Sequence, residues 1–184
     1  NIAGVYAPLN CGGTVVVCGS EELGFSGARL TDPAAMLSAI SKAQPESLIL
    51  VPELLFMLVT ACSNGWQPPK SLQFIAVGGA HVPAGLIAKA REAGLPVYQG
   101  YGLSECVSVN TLNLPDADNP DSVGRSLGHN TLTIENGELV ASGTIFLGYL
   151  NQPQSFYPTV VKTGDLVSEE DGYYYVAGRR KNLI

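Results

Sequence analysis

Between residues 14 and 98, short runs of β-branched and other apolar residues alternate with longer runs of helical period, and glycine or proline marks nearly every change. This alternation restricts the fold more than any other feature. Parallel strands cannot be joined by a tight turn and need a crossover, so strand–helix–strand order implies an α/β layering around a mostly parallel sheet. Gly12-Gly13 ends an opening helix, and TVVVC at 14–18 reads as the first strand. Thr31-Asp32-Pro33 gives a capping residue with proline in the first turn, and AAMLSAISKA continues as an amphipathic helix. Beyond it the pattern predicts a strand over 47–51, a mostly buried helix after Pro52 and a strand over 72–77. A helix from Pro83 to about Glu92 and a short strand over 95–98 complete the series.

The texture changes near Pro115. The stretch LPDADNPDS is polar and proline-rich, as a loop or subdomain boundary is. After it come short strands with tight turns: TLTIE and ELVAS flank Asn136-Gly137, and Asp171-Gly172 precedes YYYV. Such pairs favour two-residue hairpins because both positions tolerate positive φ. The expected organisation is therefore an α/β subdomain over 1–115 and a small β-barrel subdomain over 116–178.

Composition narrows the function. With 46% hydrophobic and 14% charged residues, the 184-residue chain can bury a sizeable core, and its net charge of −6 argues against nucleic acid or an anionic membrane as partner. No apolar run is long enough to span a bilayer, and no signal or transit sequence is legible at the start. Cys11, Cys18, Cys62 and Cys106 show no CxxC pairing, which suits reduced thiols and a cytoplasmic location. His81 and His129 are too few and too far apart for a metal cage. The chain opens at Asn1 inside a helical run and closes at Ile184 inside RRKNLI, so a partial product of a longer protein is expected.

The richest chemistry lies in VGGAHVP at 77–83 and YQGYGLSEC at 98–106, each a strand ending in glycines at a helix start. In open α/β sheets ligands gather at such points, where backbone approaches closely and amide N–H groups point outward. Tyr101 between Gly100 and Gly102 can lay its ring on a flat base. Ser104 can donate to a phosphate oxygen, and Glu105 can hold the magnesium that phosphates require. A plain glycine turn, with Ser104 as helix cap and Glu105 complementing the helix dipole, accounts for the same residues. Farther on, Asp165 in KTGDL can accept from both hydroxyls of a ribose diol, and Arg179 offers a planar donor fork. An ordinary polar turn and a solvated basic linker are the alternatives there.

Taken in order, these pieces resemble the AMP-forming acyl-activating superfamily of acyl-CoA synthetases, adenylation domains and beetle luciferases. The resemblance rests on Gly78-Gly79-Ala80, then Tyr101-Gly102-Leu103-Ser104-Glu105, then Gly137-Glu138-Leu139 with Gly143 and Gly148-Tyr149. Thr163-Gly164-Asp165 follows, and then Asp171-Gly172-Tyr173 with Gly178-Arg179. It implies that Gly78, Gly79 and Ala80 wall an adenine, and that Tyr101, flanked by Gly100 and Gly102, stacks on it. Ser104 would contact the α-phosphate and Glu105 the magnesium, as the catalytic pair. Asp165 would bind the ribose diol with help from Arg179, Val176 would border the nucleotide, and Lys181 would be a hinge within 179–184. Ser104 stands where threonine is commoner and keeps the hydroxyl. Ala80 and His81 depart from the commoner choices.

The implied activity is that of a carboxylate–CoA ligase. It joins a fatty or aryl acid to AMP from ATP, with magnesium, and then passes the acyl group to coenzyme A. Leu103, where amino-acid adenylation domains usually carry proline, favours this over loading of a phosphopantetheine carrier protein. A non-catalytic nucleotide-binding relic is the alternative class, and the retained Glu105, Asp165 and Arg179 count against it. No GxxxxGK[ST] or comparable phosphate loop occurs in the chain, and the lysine that promotes adenylation belongs to a region beyond it, so these residues alone are expected to be inactive.

Overall fold

Asp32 behaves as the sequence predicts: its Oδ1 accepts from the amides of Ala34 (3.0 Å) and Ala35 (3.2 Å), two of the orphan donors at the start of a helix. That helix belongs to the first of two compact units, Asn1–Val97 and Tyr98–Ile184, in a computed structural model that describes residues 2–83 and 85–180. In the first unit a π-helical turn, Ile2–Tyr6, runs into α1 (Ala7–Asn10). Among the described residues TVVVC at 14–18 joins no ladder, contrary to expectation, and Val16 and Val17 are exposed. Its β-branched residues favour extended backbone, but a strand also needs a neighbour to take its hydrogen bonds.

A two-stranded hairpin of β1 (Phe25–Ser26) and β2 (Arg29–Leu30) precedes α2 (Pro33–Ala43). Then β3 (Ser47–Leu50), α3 (Pro52–Ser63) and β4 (Phe74–Val77) form a βαβ unit, with β3 and β4 parallel from Ser47↔Phe74 to Leu50↔Val77. The helix α4 (Leu86–Glu92) follows. Leu55, Leu58, Ile75, Val77, Ala90, Leu95 and Val97 form the heart of the core. Each large side chain there contributes ~1.5–3 kcal/mol through burial.

The second unit is built on antiparallel pairing. Its ladder starts from Gly100 and Tyr101 of β5 (Val97–Tyr101) and continues through β6 (Thr111–Leu112) and β7 (Arg125–Ser126). From there it passes to β11 (Tyr173–Arg179), β10 (Val161–Glu170), β9 (Glu138–Gly143) and β8 (Asn130–Glu135). Both expected hairpins are present. Glu135↔Glu138 and Glu170↔Tyr173 close two-residue loops, and positive φ at Asn136, Gly137, Asp171 and Gly172 makes both type I′.

Among the described residues no pairing joins β8 back to β5, so the ladder is open and does not close the small barrel expected over 116–178. The units divide before Tyr98, earlier than residue 115, because Gly100 and Tyr101 of YQGYGLSEC pair with the antiparallel strands. The polar loop after Leu112 is ordered by buried Asn113, whose Nδ2 donates to Ser122 O (2.9 Å) while its Oδ1 accepts from Asn119 N (2.8 Å).

Candidate functional site

The strand β10 breaks register where the sequence reads Thr-Gly-Asp. Lys162 faces Val140 and Leu166 faces Glu138, so Thr163, Gly164 and Asp165 together oppose Leu139 as a bulge. Bulges re-aim side chains and leave ladder amides to find other partners. Here side chains supply them. Glu138 Oε1 accepts from Gly164 N (2.9 Å) and Thr163 Oγ1 accepts from Asp165 N (3.1 Å), while the Thr163 hydroxyl donates to Leu139 O (2.9 Å). The second oxygen of Glu138 accepts from Arg180 Nη1 at 3.0 Å. The Gly164 amide, and then Arg180, hold the Glu138 carboxyl below the usual carboxylate range.

The bulge sets Asp165, only 5% exposed, between two donors. Tyr101 donates its hydroxyl to Oδ2 (2.7 Å) and Arg179 donates Nε to Oδ1 (3.0 Å). Burial, reinforced by the Asp165 carboxylate, pushes the Tyr101 phenol far above its ordinary range. A carboxylate oxygen accepts more than one hydrogen bond, so both oxygens of Asp165 keep acceptor capacity. The Arg179 side chain stays 59% exposed.

The turn after Tyr101 is equally constrained. A Cβ on Gly102 would overlap the Ser108 carbonyl oxygen, so only glycine lets residues 103–108 fold back as they do. Ser104–Cys106 is a short 3₁₀ turn. Leu103 is the residue before it, and Ser104 makes no capping bond, which removes the helix-cap alternative. Buried Cys106 packs with Ala141 and Val161 and pins the turn from below. Ser104 lies exposed at its head. Glu105 is clasped by the following loop: Phe146 N donates to its carbonyl (2.8 Å) and Tyr149 donates its hydroxyl to Oε1 (2.6 Å), with the Phe146 and Tyr149 rings edge to face at 4.8 Å. The bond to Glu105 raises the Tyr149 phenol.

The other expected residues are distributed. Gly100 pairs with Leu112, and Val176 sits opposite Val167, 38% exposed. Gly78, Gly79 and Ala80 belong to the first unit, immediately after β4, where Gly79 and Ala80 are exposed and Gly78 N donates to Leu50 O (3.2 Å). Lys181 lies outside the described residues. Among the described residues no cluster of three or more His, Cys, Asp or Glu is arranged to hold a metal ion.

Comparison with known proteins decides the family. The AMP-binding enzyme family matches residues 1–150. The chain belongs to that family. A curated relative, the 2-succinylbenzoate–CoA ligase of Lactococcus lactis subsp. lactis (strain IL1403), is 33% identical over 165 residues, covering 83% of this chain and 35% of the relative. Unliganded O-succinylbenzoate coenzyme A synthetase from Bacillus subtilis superposes with a TM-score of 0.78 at 26% identity, covering all of this chain and 41% of its own. The same enzyme with its acyl-adenylate intermediate gives a TM-score of 0.69 at 28% identity, over 80% of this chain and 34% of that one. The chain thus spans about a third of the length of the curated relatives it matches.

Within this member of the AMP-binding enzyme family, sequence reasoning found the Thr-Gly-Asp and Tyr-Gly-Leu-Ser-Glu segments but gave no role to Glu138, Tyr149 or Arg180. Glu138 and Tyr149 lie inside the glycine-rich stretch that carried the resemblance. Their partners are 26 and 44 positions away, at Gly164 and Glu105.

Proposed function

We propose that this chain supplies the ribose- and phosphate-facing residues of an AMP-forming carboxylate–CoA ligase acting on an aryl acid. The observation that carries the proposal is the buried Asp165 carboxylate, fixed by Tyr101 and Arg179 and still able to accept on both oxygens. A ribose presents two adjacent hydroxyl donors, which a charged two-oxygen acceptor matches. In this reading Tyr101 offers its ring to the base between Gly100 and Gly102. Val176 borders the base, and the exposed Arg179 nitrogens reach ribose or phosphate oxygens. Ser104 donates to the α-phosphate, and Lys181 is the hinge. Gly78, Gly79 and Ala80 keep the adenine-facing role that the family resemblance gives them.

Glu105 suits magnesium, which is commonly held by one or two carboxylates together with substrate phosphates. Its Oε2 takes no hydrogen bond among the described residues. The bound ion would neutralise charge on the phosphates. The substrate carboxylate forms a bond to the α-phosphorus of ATP as the bond to pyrophosphate breaks. A thiol then attacks the acyl carbonyl and AMP leaves. Coenzyme A is the proposed thiol because the named relatives are CoA ligases, and the aryl acid follows from the same names. No described helix is long and apolar enough to cross a membrane. The absence of disulfides among the four cysteines supports the proposal of a cytoplasmic location.

Calorimetric titration with AMP, wild type against Asp165→Ala, tests the reading. Charged hydrogen bonds are worth ~1.5–3 kcal/mol each, so affinity falls by at least about tenfold. Equal affinities would remove Asp165 from the nucleotide site.

A further inference from the structure

We infer that Glu138 is a positioning residue for the Asp165 acceptor, holding from one carboxylate both ends of the structure that aims it. The inference rests on the proposed ribose role of Asp165. On its β9 side the three-residue bulge at 163–165 cannot be satisfied by the ladder, because only Leu139 faces it there, while Asp165 keeps its pairing with Arg179 on the β11 side. An unpaired, half-buried amide there would let the segment relax toward regular pairing, and a slip of one residue turns a strand side chain to the opposite face. Glu138 prevents this by accepting from Gly164 N through Oε1.

Its other oxygen accepts from Arg180 Nη1, next to Arg179, whose Nε donates to Asp165. One side chain, 11% exposed, therefore ties the bulge that carries Asp165 to the end of the strand that carries its cationic partner. Glu138 bonds neither Asp165 nor Tyr101, so it acts through backbone placement and through Arg180. A salt bridge kept only for strand stability would not need the Gly164 bond, which engages the residue immediately before Asp165.

The test compares adenosine with 2′,3′-dideoxyadenosine, which lacks the diol, on this chain by ligand-observed NMR titration. Wild type should prefer adenosine. Glu138→Ala should lower adenosine affinity about tenfold, as loss of a buried bonding partner does, and leave dideoxyadenosine binding unchanged. Glu138→Gln, whose amide oxygen still accepts from Gly164, should keep most of the preference. If Glu138→Ala does not fold, Glu138→Asp draws the carboxylate back by one methylene and should reduce the preference in the same direction. An adenosine preference that survives Glu138→Ala or Glu138→Asp overturns the assignment, and so does an equal loss for both nucleosides. A wild-type chain that binds the two nucleosides equally, or binds neither, overturns the ribose reading of Asp165 itself and the inference with it.

Discussion

The Tyr101 hydroxyl donates to Asp165 Oδ2 at 2.7 Å, tying the end of β5 to a bulge 64 positions later. The bond is formed between residues that both belong to the second unit, so it can be examined without reference to the first.

Tyr101→Phe should destabilise the second unit by about 1–3 kcal/mol, since the buried carboxylate loses a donor. The pH dependence has a definite sign. The folded phenol pKa is raised above the ordinary value of 10.0, so this stabilisation is complete below pH 10. Above that pH the unfolded chain sheds the proton first, and stability falls as pH climbs toward the folded value. Chemical denaturation between pH 8 and about pH 11 should therefore show a smaller alkaline loss in Tyr101→Phe than in wild type. Parallel pH profiles would mean that the phenol is not buried against Asp165 in solution.

Glu105→Gln keeps the size of the side chain and removes its charge. The bond to Glu105 raises the Tyr149 phenol, so in the variant Tyr149 should ionise at lower pH than in wild type. Carbon-13 NMR of the tyrosine ζ-carbon follows this directly. The same variant should retain less manganese, used in place of magnesium, in the presence of AMP, as proton relaxation would report. An unshifted Tyr149 titration would dissolve the clasp, and unchanged manganese retention would count against Glu105 as a metal ligand.

Leu58 is fully buried in the first unit, and Leu58→Ala should cost about 2–5 kcal/mol. Trp66 is the only tryptophan in the chain and packs against the same core, so its fluorescence reports that unit selectively. A denaturation midpoint for Trp66 that does not move would show that the core is looser than its burial implies.

Pyrophosphate release from ATP, assayed with a panel of aryl and fatty acids, should be undetectable for this chain. The chain spans about a third of the length of the curated CoA ligases it matches. Each missing preorganised contact to developing charge commonly costs ~10²–10³ in rate. Turnover with any acid would show that this chain alone carries the machinery of adenylation.

Local chemistry was the most legible part of the sequence. Asn136-Gly137 and Asp171-Gly172 announce type I′ turns because the required φ values suit those residues and few others. Asp32-Pro33 announces its helix for a similar reason. The failure at 14–18 is instructive, since Val16 and Val17 have strand propensity but no neighbouring strand among the described residues. The barrel expected of the late strands failed likewise, because strand order depends on pairings such as β7 with β11 that no local signal encodes, and among the described residues the ladder stays open. Asp165 and Tyr101 were singled out separately, and only the fold joins them. Glu138 stayed silent because its partners lie 26 and 42 positions away and glutamate in a strand carries no signature of its own.

Gly102 has a meaning for descent as well as for folding. Every single-base change in a glycine codon that alters the amino acid introduces a Cβ, and here that atom has nowhere to go against the Ser108 carbonyl oxygen. The position therefore has no viable mutational neighbours while the turn keeps its path. Relatives that diverge in the acid they accept have to do so by drift on either side of this fixed point, and a deep mutational scan of the chain should read it as a column with one permitted letter.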